Sequence, residues 1–81
     1  MSQIYISEQK LEYRGYEVRE SKKGNDYYLL NFEDVEGKVT QFCTREEKVL
    51  KKVKKGQSYF TVLDINMNGR YTNIFLKDVK Q

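Results

Sequence analysis

The hydrophobic period of this chain changes twice, from about two to about 3.6 residues at Thr44 and back to about two at Ser58. Before the first change, Leu11, Tyr13, Tyr16 and Val18 alternate, and the phase slips by one at Gly15. A glycine at a phase slip inside a strand marks a β-bulge, where the strand bends sharply. Ser21 to Asp26 is a charged, turn-rich loop. A second strand runs from Tyr27 to Glu33 with Tyr28, Leu30 and Phe32 on its more apolar face. Asp34-Val35-Glu36-Gly37 reads as a tight hairpin connection, and a third strand follows from Lys38 to Cys43.

In the middle segment, Thr44-Arg45-Glu46-Glu47 has the form of a capping box, with Thr44 as cap and Glu47 reaching back. Val49, Leu50 and Val53 fall on one helical face, and Gly56 supplies a stop, which predicts a helix of about three turns. A fourth strand runs from Ser58 to Ile65, Asn66 to Arg70 form a turn, and a last strand runs from Tyr71 to about Val79. Residues 1–9 show no period and are expected to form an N-terminal arm or loose edge segment, leaving 10–81 as one domain. A bulged first strand, and a short helix between strands three and four that plugs the barrel end, are what a five-stranded Greek-key barrel of the OB type requires. The expectation is therefore an all-β fold with small α content. An SH3-like barrel is the alternative, although it normally places only a helical turn at that position.

Composition narrows the chemistry. With 81 residues there is room for one domain, and one so small buries only about 60% of its unfolded surface. Histidine, tryptophan and proline are absent and there is one cysteine. Without histidine the commonest general base and the commonest metal ligand are both missing, so neither an enzyme nor a bound metal or cofactor is expected. Cys43, on a strand and without a histidine beside it, reads as a small filler and not as a nucleophile. Asp64-Ile65-Asn66-Met67-Asn68-Gly69 copies the opening of a calcium loop, but its twelfth position is Phe75 and its flanks alternate as strands, so it reads as a hairpin turn. No apolar run reaches the roughly 20 residues that span a bilayer. Met1 to Glu8 lacks the basic flank of a secretion signal, so a cytoplasmic location without membrane attachment is expected.

The charge is uneven. Residues 1–37 carry five basic and eight acidic side chains, and residues 38–81 carry ten basic and four acidic. Seven tyrosines and four phenylalanines accompany them. Arg14, Tyr16, Arg19, Lys22, Lys23, Tyr27 and Tyr28 are interleaved over the first two strands and their loop. Single-stranded nucleic acid asks for this mixture, because cations track phosphates while flat rings stack on unpaired bases. Tyr13 and Tyr28, on the apolar phase, are expected to pack the barrel, whereas Tyr27, beside Asn31, is the better stacking platform. Phe42 could face in or out. Lys38 joins the set at the first hairpin, and Arg70 with Tyr71 at the second. Loops one–two and four–five flank the groove of an OB barrel. Arg45, Lys48, Lys51, Lys52 and Lys55 share the outer face of the expected helix. They read as a solvated surface or as a secondary phosphate-attracting stripe.

Tyr27-Tyr28-Leu29-Leu30-Asn31-Phe32-Glu33-Asp34 with Gly37-Lys38, the helix ending at Lys55-Gly56, and the closing Leu76-Lys77-Asp78-Val79 carry a resemblance. In these segments the chain resembles the small OB-fold single-stranded-DNA-binding proteins of phages, plasmids and integrative elements of Gram-positive bacteria. The resemblance implies a role in replication, recombination or transfer of mobile DNA, often as a homo-oligomer and beside replication or recombination proteins. Two features differ from typical bacterial single-strand-binding proteins, since tryptophan platforms and a long acidic tail are both missing. The expected activity is non-catalytic binding of single-stranded DNA with little sequence preference, RNA being a variant the same residues would serve. The alternative is an OB-fold protein-interaction module or assembly subunit, which the acidic first part, repelling phosphates, would suit.

Overall fold

In the computed structural model, which describes residues 2–81, six strands and one helix follow one another. They are β1 (Ser2–Ile6), β2 (Leu11–Glu20), β3 (Asp26–Glu33), β4 (Val39–Thr44), α1 (Glu47–Lys52), β5 (Ser58–Asn68) and β6 (Tyr71–Lys80). Five of the strands close a barrel. β2 pairs with β3 and β3 with β4, both antiparallel, and β4 meets β6 in parallel at Cys43 and Phe75. β6 runs antiparallel to β5, and Leu11 and Glu12 of β2 meet Tyr59 and Ser58 of β5 to shut the ring. The helix falls between the third and fourth strands of that ring, as the change of period predicts.

The bend in β2 lies where the phase slip placed it. The ladder with β3 shifts register between Tyr13 and Gly15, and Gly15 has φ +121°, a backbone region open mainly to glycine. A second shift, between Val62 and Leu63 of β5, leaves both of these neighbours buried. Gly69 (φ +61°) and Arg70 join β5 to β6, with glycine at the first central position as a type II′ hairpin requires. β5 therefore runs on through Asn68, past the Ile65 at which alternation weakens.

The segment read as an arm or loose edge segment contains an edge strand. β1 lies antiparallel on β5, from Ser2 opposite Asn66 to Ile6 opposite Val62, along the edge that β2 leaves open. Ser7 fastens it, since its N–H donates to the Thr61 carbonyl (3.0 Å) and its Oγ accepts from the Thr61 N–H (3.0 Å).

The interior gathers Tyr13, Leu30, Phe32, Val49, Tyr59, Leu63, Leu76 and Val79, with Tyr28, Phe42 and Ile65 packed around them. Tyr13 and Phe32 tilt against each other at 5.5 Å, and Phe32 against Phe42 at 5.9 Å. Each large side chain withdrawn from water contributes about 1.5–3 kcal/mol, which is how so small a ring holds together.

The helix departs from expectation. α1 has six residues, less than two turns, and Glu46 takes the cap position without a side-chain hydrogen bond. Thr44 is the last residue of β4 and is buried, and its Oγ1 accepts from the Glu46 N–H at 3.1 Å, so no capping box forms. At the other end Val53 is already extended (φ −99°, ψ 142°). Tertiary bonds take over there: the Lys54 N–H donates to the Tyr59 hydroxyl (2.8 Å), and Gly56 and Gln57 bond the backbone of Tyr13. Gly56 thus turns the connection toward β2 and does not end the helix. Val49 and Val53 still point into the core, which is what α1 is for.

Candidate nucleic-acid interface

β3 is the middle strand of the sheet β2–β3–β4, so its register decides which side chains share a face. Paired residues point the same way. Tyr13–Phe32, Tyr16–Leu30–Phe42 and Val18–Tyr28–Thr44 form the inner rows. The outer rows are Glu12–Glu33–Val39, Gly15–Asn31–Gln41, Glu17–Leu29–Cys43 and Arg19–Tyr27.

Tyr27 therefore lies on the outer face, half-buried and opposite Arg19. Across the middle of this face the Gln41 amide donates to Asn31 Oδ1 at 3.0 Å. Two cations of the set are already held by carboxylates. Arg14 stands 2.7 Å from Glu12 and 3.5 Å from Glu33, which raise its pKa, Glu12 through its hydrogen bond above all, and Arg19 stands 3.1 Å from Glu17. The arginines thus offset acidic neighbours, leaving the outer rows close to neutral.

The rim carries the uncommitted charge. Lys22 and Lys23 occupy the exposed turn between β2 and β3, beyond the end of the sheet where Tyr28 pairs with Thr44. Lys38 is exposed in the turn before β4, at the sheet's other end. β6 runs parallel to β4 through Phe75 and Cys43, so Arg70 and Tyr71 lie toward that same end. Tyr71 is 75% exposed. Among the described residues none of Lys22, Lys23, Lys38 and Arg70 enters an ion pair. Lys22–Lys23 and Arg70 thus bound the outer face from opposite ends, while Lys38 shares its turn with Asp34 and Glu36.

Not every residue of the set joins them. Phe42 packs inward against Phe32, because its partner on β3 is Leu30. Tyr16 is on the inner side too, yet half of it is exposed, since β2 pairs with β5 only at Leu11 and Glu12 and its far side is open beyond them; its ring meets Tyr28 edge-on at 6.2 Å. The helical stripe is broken up. Lys55 lies beyond α1, Lys48 pairs with Glu46 (3.1 Å), Lys52 pairs with Asp78 (2.7 Å), and Arg45 lies over Phe75; only Lys51 remains an exposed helical cation without an ion pair. Burial pushes the Cys43 thiol pKa up, Arg45 opposing, which suits an inert thiol.

A cleft of about 280 Å³ opens elsewhere, where the end of β4 meets β5 and β6. Its walls include Arg45, Glu46, Asp64, Phe75 and Lys77. Sequence reasoning took Asp64 and Phe75 as ends of an aborted calcium loop; it missed that antiparallel pairing sets them directly opposite each other. Asp64 to Asn68 are strand and Gly69 the turn, and the described residues hold no cluster suited to a metal ion. No described helix is long and apolar enough to cross a membrane. Compared with protein-family models, curated proteins and solved structures, the chain matches none.

Proposed function

We propose that this barrel is of the OB type and binds single-stranded nucleic acid, DNA foremost, with little sequence preference and without catalysis. The ring order supports the fold reading: counted along the chain its strands neighbour one another as one, two, three, five, four, with the helix between three and four. In barrels of this type strands two and three and the one–two and four–five loops make the groove. Here those are β3, β4 and the tips bearing Lys22–Lys23 and Gly69–Arg70.

The observation that carries the proposal is Tyr27 on the outer face between two tips whose Lys22, Lys23 and Arg70 enter no ion pair among the described residues. A base stacks on the Tyr27 ring at one end of the face, and Tyr71, toward the opposite end, offers a second exposed ring. Lysines at the rim attract the phosphates on either side. A cytoplasmic role in replicating, recombining or transferring mobile DNA, as an oligomer alongside other proteins of that machinery, is the setting this activity suits.

Fluorescence anisotropy of labelled oligo-dT, oligo-rU and duplex DNA at two salt concentrations tests it. Single strands are expected to bind, with log affinity falling by about 0.7 per phosphate contact for each tenfold rise in salt. Absence of single-strand binding, or equal binding of duplex, would overturn the proposal. A second reading, a protein-interaction module, is favoured by β1, which among the described residues pairs only with β5 and exposes Ile4, Tyr5 and Ile6. Light scattering that shows concentration-dependent assembly without oligonucleotide binding would favour it.

A further inference from the structure

Asp64 has one carboxylate oxygen, Oδ1, shut off from solvent and without a hydrogen-bond partner among the described residues. A hidden acceptor left bare is costly, so its site has a use for a donor. Asp64 is only part-buried and lines the cleft between the end of β4 and the β5–β6 ladder. The terminal torsion of an aspartate is broad and roughly two-fold, so a group in the cleft meets Oδ1 only once the carboxylate has rotated. Directly across the ladder stands Phe75, whose ring has the Arg45 guanidinium over it at 5.8 Å. Lys77, exposed, follows on the same wall. The cleft thus offers a flat ring, a planar cation, a second cation at the mouth and an acceptor-only carboxylate.

We infer that this cleft is a guanine pocket, in which one base of the bound strand stacks beside Phe75 and Arg45 and presents its Watson–Crick edge to Asp64. The inference rests on the proposed single-strand binding and adds a base preference to it.

The edge chemistry selects the base. A carboxylate accepts and cannot donate. Guanine sets two donors side by side on its Watson–Crick edge, N1–H and the 2-amino group. Thymine and uracil flank a single N–H with two carbonyls that a carboxylate repels. Adenine and cytosine set their amino group next to a bare ring nitrogen. Only guanine satisfies both oxygens together. Arg45 and Lys77 meet the flanking phosphates and offset the charge of Asp64 and Glu46. At about 280 Å³, just below the ~300 Å³ at which small-molecule sites begin, the cleft suits one base and excludes a base pair.

Labelled dT12 is compared with the same strand carrying one central dG, dI or dA. The strand with dG is expected to bind roughly tenfold tighter than dT12, in line with the discrimination of a bidentate base contact. The dI strand, which lacks the 2-amino group, should lose most of that gain with the protein unaltered. Asp64→Asn should collapse the dG-to-dT ratio toward one while its melting temperature confirms folding. If dT12 binds and dG brings no gain, or Asp64→Asn keeps the gain, the pocket is refuted and single-strand binding stands. If no strand binds, both fall. An arginine-bearing peptide that binds in an Asp64-dependent way while dG brings no gain would assign the cleft to a protein partner and overturn the inference.

Discussion

Lys52 of α1 donates a 2.7 Å hydrogen bond to Asp78 of β6 and so ties the short helix to the barrel wall it covers. Asp78 also accepts from the Val79 N–H at 2.8 Å. The Lys52 bond above all holds the Asp78 carboxyl below its ordinary pKa, Val79 and Lys48 assisting against partial burial. A carboxyl whose pKa is lower in the folded than in the unfolded chain stabilises the fold at high pH. That contribution is complete above the unfolded value of about 4 and is lost as pH falls through the lower, folded value. Both side chains meet solvent, so it amounts to less than about 1 kcal/mol. Melting curves from pH 7 down to pH 2 should show Asp78→Asn losing its deficit relative to the parent below pH 4. A deficit that persists undiminished at pH 2 would mean that the bond is not the cause.

Gly15 gives a stability prediction of a different kind. Its φ of +121° is closed to ordinary side chains, although a Cβ built there meets nothing within 4 Å. Any cost of Gly15→Ala is therefore backbone strain and not a clash, about 1–3 kcal/mol. Chemical denaturation should report a lower midpoint with an unchanged slope. A neutral Gly15→Ala would mean that the bend does not need glycine.

The bend was legible because a phase slip and a glycine coincide at Gly15, and the inner rows because Tyr28, Leu30 and Phe32 alternate without interruption. β1 was not, because Ile4, Tyr5 and Ile6 are apolar without alternating, and β5 decides their pairing from a distance. The helix was over-read at both ends for one reason: Thr44 and Val53 answer to the core, and local capping preference loses to burial. Phe42 could not be placed from its own segment. Only its register against Leu30 turns it inward. Pairing of Arg14 with Glu33 was also hidden, since it takes the β2–β3 ladder to bring them together, whereas Arg14–Glu12 and Arg19–Glu17 follow from the two-residue period of β2 alone.

Thr61 sits fully buried on the inner side of β5 beside Val79, and its Oγ1 has no hydrogen-bond partner among the described residues. The backbone of Thr61, not its hydroxyl, makes the bonds to Ser7. Thr61→Val keeps the branched shape and removes a bare polar atom, so it should stabilise the fold by about 1 kcal/mol. Thermal melting should rise by a few degrees. A fall would show that the hydroxyl is satisfied in solution.

Tyr27 and Phe42 separate a stacking platform from a core ring. Phe42 fills space against Phe32, so Phe42→Ala should cost about 2–3 kcal/mol of stability, short of the 3–5 for a fully buried phenylalanine. Its effect on oligo-dT affinity should vanish under conditions where the variant remains folded. Tyr27 is half-buried on the outer face, and Tyr27→Ala should leave the denaturation midpoint nearly unchanged. It should weaken oligo-dT binding by the ~1–3 kcal/mol that one stacked base contributes. Replacing Lys22 and Lys23 together should act differently again: affinity falls, and the slope of log affinity against log salt becomes shallower by up to about 0.7 per lost phosphate contact. A folded Tyr27→Ala protein that binds oligo-dT as well as its parent would remove Tyr27 from the interface, and an unchanged salt slope would remove the two lysines.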